Sequence, residues 1–193
     1  MRNELLLVGN AASLLTRHGL GEAIDRFGVV VRFNNFVTAG FEECVGVRTD
    51  VWARNETDEV LPRTERFGRI LLRLQGEDAE TYQRGGEALL PQLKLDHPGA
   101  VIEVILRSVF TELIAAHGFK GAPLTGTMAA AHYLRRIPRV HICGFDNLVG
   151  TPETLRHYYS DENRIEDWTT YHEPDKEAAY LRGLIRAGRV VVL

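Results

Sequence analysis

A chain of 193 residues is long enough to bury one hydrophobic core and short for two, so a single domain over residues 1–193 is expected. With 23 Lys and Arg against 26 Asp and Glu, the net charge of -3 excludes a surface built to wrap nucleic acid, and any anionic ligand needs a local basic site. Two cysteines, no secretory pattern in the opening residues and no apolar run approaching ~18 residues argue against a disulfide scaffold and a transmembrane segment, which makes the cytoplasm the expected setting.

In chain order, Glu4 to Val8 reads as a buried strand closed by Gly9-Asn10 and followed by a helical stretch from Ala11 to His18. Val29 to Phe33, Asp50 to Ala53 and Arg69 to Leu74 read as further strands, and their continuous apolar runs suit a sheet covered on both faces. Residues 77–90 fit a helix or a lid, and Leu93 to Leu95 a brief strand. Val101, Ile105, Val109, Leu113 and Ala116 recur at helical spacing, which predicts one amphipathic helix from Gly99 to His117, stopped by Gly118. Thr127 to Arg136 is a predicted helix, Arg139 to Phe145 a strand, Asp175 to Ala187 the last helix and Val190 to Leu193 a closing strand. Strands alternating with helices predict an α/β sheet with helices on both faces, Rossmann-like in layout.

Several positions can carry chemistry, and each also has an ordinary structural explanation. Gly9 and Asn10 lie where open α/β sheets place ligands, or form a plain turn. Arg32 and Asn34 at the end of the second strand can serve a nucleotide or simply finish the strand. Thr125 and Gly126 offer a hydroxyl and N–H groups at a helix start, where anions bind, or cap that helix. His157 and Tyr158 can meet developing phosphate charge or pack. His172 stands ahead of Glu173-Pro174 with Glu177 near the first helical turn, which leaves an imidazole poised as a general base with a carboxylate to orient it, or merely a surface histidine. The other histidines and the two cysteines share no metal-ligand spacing, and no Asp-x-Asp occurs.

Taken in order, these segments resemble the sialyltransferases of glycosyltransferase family 29. Val8-Gly9-Asn10, Ile24-Asp25, Val31-Arg32-Phe33-Asn34, Thr38 to Glu42, Val45-Gly46 and Thr49 echo the large sialylmotif. Pro123-Leu124-Thr125-Gly126 through Gly144-Phe145 echo the small one, His157-Tyr158-Tyr159 the third, and His172 with Glu177 the very small motif.

The resemblance implies a single-domain, GT-A-like transferase and a short, bacterial-type member of the family. It implies inversion without a metal or other cofactor, moving a sialic acid or related 2-keto sugar acid from a CMP donor to a hydroxyl of a glycan or glycolipid. CMP-Kdo is the alternative donor, and a CMP-binding module without transfer the alternative role. Carried over, Gly9, Asn10, Arg32, Asn34, Thr125, Gly126, Gly144 and Tyr158 would line the donor site. His157 would face the phosphate, His172 would be the general base and Glu177 its support. Leu5 and Leu6 stand where the family's first bridging cysteine is expected, so that disulfide is not predicted, and Leu124 replaces the usual Ser. A chain shorter than the usual catalytic domain implies reduced acceptor loops.

Overall fold

The computed structural model describes residues 4–75, 78–145, 157–159 and 172–193. The apolar runs form strands β1 (Leu5–Val8), β2 (Val29–Phe33), β3 (Val51–Asn55), β4 (Arg69–Arg73), β5 (Val101–Val104), β6 (Val140–Cys143) and β7 (Val190–Val192). Among the described residues they make one seven-stranded sheet in the order β5-β4-β3-β2-β1-β6-β7, with every neighbouring pair parallel. Helices α1 (Leu20–Asp25), α2 (Glu42–Val45), α3 (Ala79–Asp96), α4 (Arg107–His117), α5 (Thr125–Leu134) and α6 (Pro174–Arg186) surround it, with a 3-10 turn at Ala12–Thr16.

Successive strand residues point to opposite faces, so β1 serves two cores at once. Leu5 and Leu7 join Val109, Phe110 and Leu113 of α4, Met128 to Ala130 of α5 and Leu181 of α6. Leu6 and Val8 join Leu14, Ile24 of α1 and Val45 of α2. Farther along the sheet, Trp52, Ile70 and Leu72 pack on Leu93 of α3. Helices thus cover both faces, and each fully buried leucine contributes about 2 kcal/mol through removal of apolar surface from water.

Three expectations change. Residues 99–117 are not one helix: β5 takes Val101–Val104 and α4 begins only at Arg107. β5 hydrogen-bonds to β4 in register Ile70 with Ile102, and that ladder outweighs a helical spacing met by coincidence. Leu93–Leu95 is the end of α3, which carries Pro91 inside it, and not a strand; Leu93 is 2% exposed and Leu95 74%, the two sides of a helix. The predicted segment 77–90 is helix from Ala79 onward, its first residue lying outside the described residues. After β1 the chain makes the 3-10 turn and then α1, with Gly19 in the left-handed region between them, where the reading had one helix ending at His18. The short α2 was not foreseen.

The connectivity fixes where a ligand can enter. From β1 the chain adds β2, β3, β4 and β5 outward on one side, then returns to place β6 and β7 on the other. The direction of winding therefore switches between β1 and β6, and the loops leaving those two strands part there.

Candidate active site

At the switch point the ends of β1 and β6 press together. Gly9 donates its N–H to the carbonyl of Cys143 at 2.8 Å, and Ala11 donates to Gly144 at 3.3 Å. A Cβ on Gly9 would lie 2.1 Å from the Gly144 carbonyl oxygen, and Gly144 itself has φ 67, so both glycines are required by backbone contact. Phe145, next in the chain, is the hub of the site. Its ring lies 2.7 Å from where a Cβ on Gly126 would stand, touches the Cβ position of Gly9 and meets Phe33 edge-on at 6.1 Å. The ends of β1, β2 and β6 and the start of α5 therefore meet on one aromatic side chain.

Asn10 extends this junction. Its amide donates to the Phe33 carbonyl at 3.0 Å and to the Tyr159 hydroxyl at 3.2 Å, while its carbonyl accepts from the Tyr158 N–H at 2.9 Å. His157 pairs with Ala11 in an isolated antiparallel bridge and stacks on Tyr159 with centroids 5.1 Å apart. Asn34 has φ 49 and is the one non-glycine with positive φ among the described residues. Its side-chain oxygen accepts from Asn55 N–H at 3.1 Å, holding the β2 and β3 ends together.

The second half of the site is a zipper between the start of α6 and the 118–124 loop. Four alternate loop residues are each held: Lys176 donates to the Gly118 carbonyl, Lys120 N–H to Glu173, His172 Nδ1–H to the Ala122 carbonyl at 2.7 Å, and Leu124 N–H to both Glu177 oxygens at 3.0 and 3.1 Å. The Thr127 hydroxyl also donates to Glu177. A carbonyl only accepts, so the neutral His172 ring carries its proton on Nδ1 and its lone pair on Nε2. Burial lowers the His172 pKa and the Arg73 charge lowers it further, against the Ala122 hydrogen bond that raises it, so the ring is neutral near pH 7. Glu177 is 0% exposed, and burial pushes its carboxyl up to about 7 despite the hydrogen bonds and the Arg73 charge that favour its anion.

A chain with this topology and these contacts can be compared with known proteins. The family model described as glycosyltransferase family 29 (sialyltransferase) matches residues 6–60. The human CMP-N-acetylneuraminate-beta-1,4-galactoside alpha-2,3-sialyltransferase is 24% identical over 211 aligned residues, covering 94% of this chain and 55% of the relative. The human CMP-N-acetylneuraminate-beta-galactosamide-alpha-2,3-sialyltransferase 4 is 27% identical over 213, covering 96% and 62%. Over residues 6–60, and more weakly over most of its length, the chain is similar to glycosyltransferase family 29. It spans about half to two thirds of the length of these relatives. The crystal structure of a mammalian sialyltransferase in complex with Gal-beta-1-3GalNAc-ortho-nitrophenol superposes with a TM-score of 0.74 over 99% of this chain and 69% of that one, at 17% identity, and so shares the fold.

The predicted residues divide. Gly9, Asn10, Gly126, Gly144 and His157 gather at the β1–β6 junction, and Asn34 stands beside them at the end of β2. Thr125, 6% exposed, is the first residue of α5 and not its cap, since Leu124 occupies that position. Arg32 is 0% exposed; Nε donates to the Arg48 carbonyl at 2.9 Å and Nη2 to Val45 at 2.6 Å, so it braces the 45–48 turn, while its Nη1 is buried without a hydrogen-bond partner. Tyr158 is likewise buried, and its hydroxyl is engaged with the Val37 backbone. Glu177 does not orient His172 directly: it grips Leu124 and Thr127, and the Ala122 carbonyl takes the imidazole. Cys44 and Cys143 are free and buried.

Phe145, Ala122, Asn55 and Arg73 were missed as site residues. Phe145 directly follows Gly144 and could have been noted beside it, but a backbone carbonyl such as that of Ala122 leaves no sequence signal. Among the described residues no group of three or more His, Cys, Asp or Glu side chains is gathered to hold a metal ion.

Proposed function

We propose that the chain is a metal-independent, inverting sialyltransferase of Rossmann-like, GT-A-like architecture that moves a sialic acid or related 2-keto sugar acid from a CMP donor to a glycan hydroxyl. The observation that carries this reading is the tautomer of His172. Its Nδ1–H is fixed on Ala122, which gives Nε2 the lone pair a general base needs, in an environment that keeps the ring neutral near pH 7. In the step, the acceptor oxygen forms a bond to the anomeric carbon as its proton passes to His172 Nε2, and the bond from that carbon to the phosphate oxygen breaks to release CMP. The charge developing on the phosphate calls for donors, which His157 and the N–H groups at the start of α5 supply. Asn10 and Asn34, at neighbouring strand ends, are suited to the cytidine and ribose. The family relatives, whose names specify CMP-N-acetylneuraminate and galactosides, support this donor and acceptor class.

Calorimetry with CMP, CMP-sialic acid and CMP-Kdo tests the donor: heat with CMP and preference for CMP-sialic acid is the expected result, preference for CMP-Kdo changes the sugar, and no heat with any of them overturns the reading. His172→Ala should bind CMP as the parent does and lose transfer by at least about 100-fold, the ordinary contribution of a positioned base. Binding without transfer in the parent itself would leave a CMP-binding module.

A further inference from the structure

On the face of the sheet away from α5 and α6, a cavity of about 210 Å³ opens between the carboxyl end of β3, the 56–63 loop and the last turns of α3. Arg54 is its buried cation. The residue is 6% exposed, its guanidinium lies 5.2 Å over the Trp52 ring, and its Nε donates to the Asn55 carbonyl at 2.8 Å. Trp52 packs on Phe67 and His97 and donates its indole N–H to the Asn34 carbonyl at 2.9 Å, so the guanidinium rests on a fixed ring. Among the described residues, neither terminal nitrogen of Arg54 makes a hydrogen bond or ion pair. A guanidinium held out of water without an acceptor is costly, and its planar fork matches an oxyanion.

The other charged groups on the wall narrow the ligand. Arg63 is committed, with Nη1 on the Phe36 carbonyl at 2.9 Å and Nη2 on Glu65 at 2.6 Å. Glu56 accepts from Gln75 N–H at 2.8 Å, and burial raises its pKa; burial lowers that of His97. Asp58 and Asp96 line the cavity from its exposed side, one on the loop and one at the end of α3. Their carboxylates only accept hydrogen bonds and repel a second negative charge, which disfavours a phosphate dianion and favours a ligand whose remaining groups donate. An amino acid offers its ammonium at one point, whereas hydroxyls on several carbons can reach both aspartates. The volume is below the ~300 Å³ at which drug-sized sites begin, so one sugar unit is what it holds.

We propose that this cavity is a second ligand site, which takes the carboxylate of a sugar acid on Arg54 and hydroxyls of the same sugar on Asp58 and Asp96. The acid is either free or the terminal unit of a glycan. The site lies across the sheet from His172, and its test does not depend on transfer.

The test is NMR titration of the full chain with free N-acetylneuraminic acid, sialyllactose, lactose, serine and inorganic phosphate. The readout is the Trp52 indole N–H, assigned with Trp168→Phe, because it reports from the cavity and not from the β1–β6 junction. One or both acids should shift it, the free acid alone marking a small-molecule site and sialyllactose a glycan terminus, while lactose, serine and phosphate leave it in place. Arg54→Met should weaken the acid by about 10- to 100-fold, the ordinary worth of hydrogen bonds to a charged group, and Arg54→Lys should restore part of it. Asp58→Ala/Asp96→Ala, both at exposed positions, should erase the preference for the acid over phosphate, and this variant decides alone if Arg54→Met does not fold. No Trp52 response to either acid overturns the proposal, as does a response to lactose, serine or phosphate equal to that of the acid. So does a folded Arg54→Met, or an aspartate variant, that binds and discriminates as the parent does.

Discussion

Glu177→Gln should abolish a pH dependence of stability that this one carboxyl imposes. Glu177 is fully buried, and its pKa is raised from 4.5 to about 7, chiefly by burial. A carboxyl whose pKa is higher folded than unfolded binds more protons in the native state. Its stabilising contribution is therefore complete below the unfolded value and is lost as pH rises through the folded one. The difference of about 2.5 units at ~1.36 kcal/mol each gives about 3 kcal/mol in full, most of it falling between pH 5 and 8. Histidines 97, 132 and 172 oppose this slope, because burial lowers their pKa values and their contribution grows as pH rises toward neutrality. The difference between parent and variant cancels those terms. Glutamine keeps an acceptor for Leu124 and leaves Arg73 without its counter-charge at every pH, a constant offset without slope. Urea unfolding at pH 5 and pH 8 should therefore show the variant gaining about 2 to 3 kcal/mol on the parent between the two conditions, at equal m-values. Parallel stability curves for the two proteins would refute the buried, proton-binding carboxyl.

Two further substitutions probe the strand ends. Gly9→Ala drives a methyl to within 2.1 Å of the Gly144 carbonyl, a backbone atom that cannot swing aside, so the melting temperature should fall by an amount equivalent to roughly 3 kcal/mol, and an unchanged transition would remove the close approach of β1 and β6. Asn34→Ala loses the hydrogen bond to Asn55 and puts a Cβ without a polar group at φ 49, whereas Asn34→Gly loses only the hydrogen bond; denaturation should rank parent above Gly above Ala, with the alanine variant down by about 2 kcal/mol, and Ala equal to Gly would deny the left-handed backbone.

The sheet was legible because parallel strands buried on both faces carry apolar runs, as in β1 and β2, and the shorter runs of β3, β4, β6 and β7 continue the pattern. β5 was not, because Val101, Ile105, Val109 and Leu113 stand four apart and satisfy a helical period while belonging to a strand, a link and a helix. The exposure of Val101, at 65%, marks it as an edge residue and not part of a buried stripe. Arg32 and Tyr158 illustrate the other limit. Each sits in a motif and carries a group that could serve a ligand, but carbonyls 13 to 16 residues from Arg32, and one 121 from Tyr158, claim those groups. No local pattern reports partners at that distance.

The five-residue interval from His172 to Glu177 was legible as a spacing, and the zipper supplies its physical cause. Pro174 at the first helical position forces the helix to begin after Glu173, so His172 lies outside it with its ring directed across to the loop. Glu177 falls one turn inside, on the face that packs against α5. Ala122 and Leu124 are alternate residues of an extended segment, and the imidazole and the carboxylate reach them in that order. The two residues are therefore coupled through the loop they share and not through each other. A change that weakens the Glu177 grip will reach His172 as a loss of orientation, which is why its effect on the proposed reaction should appear in the turnover step before it appears in donor binding.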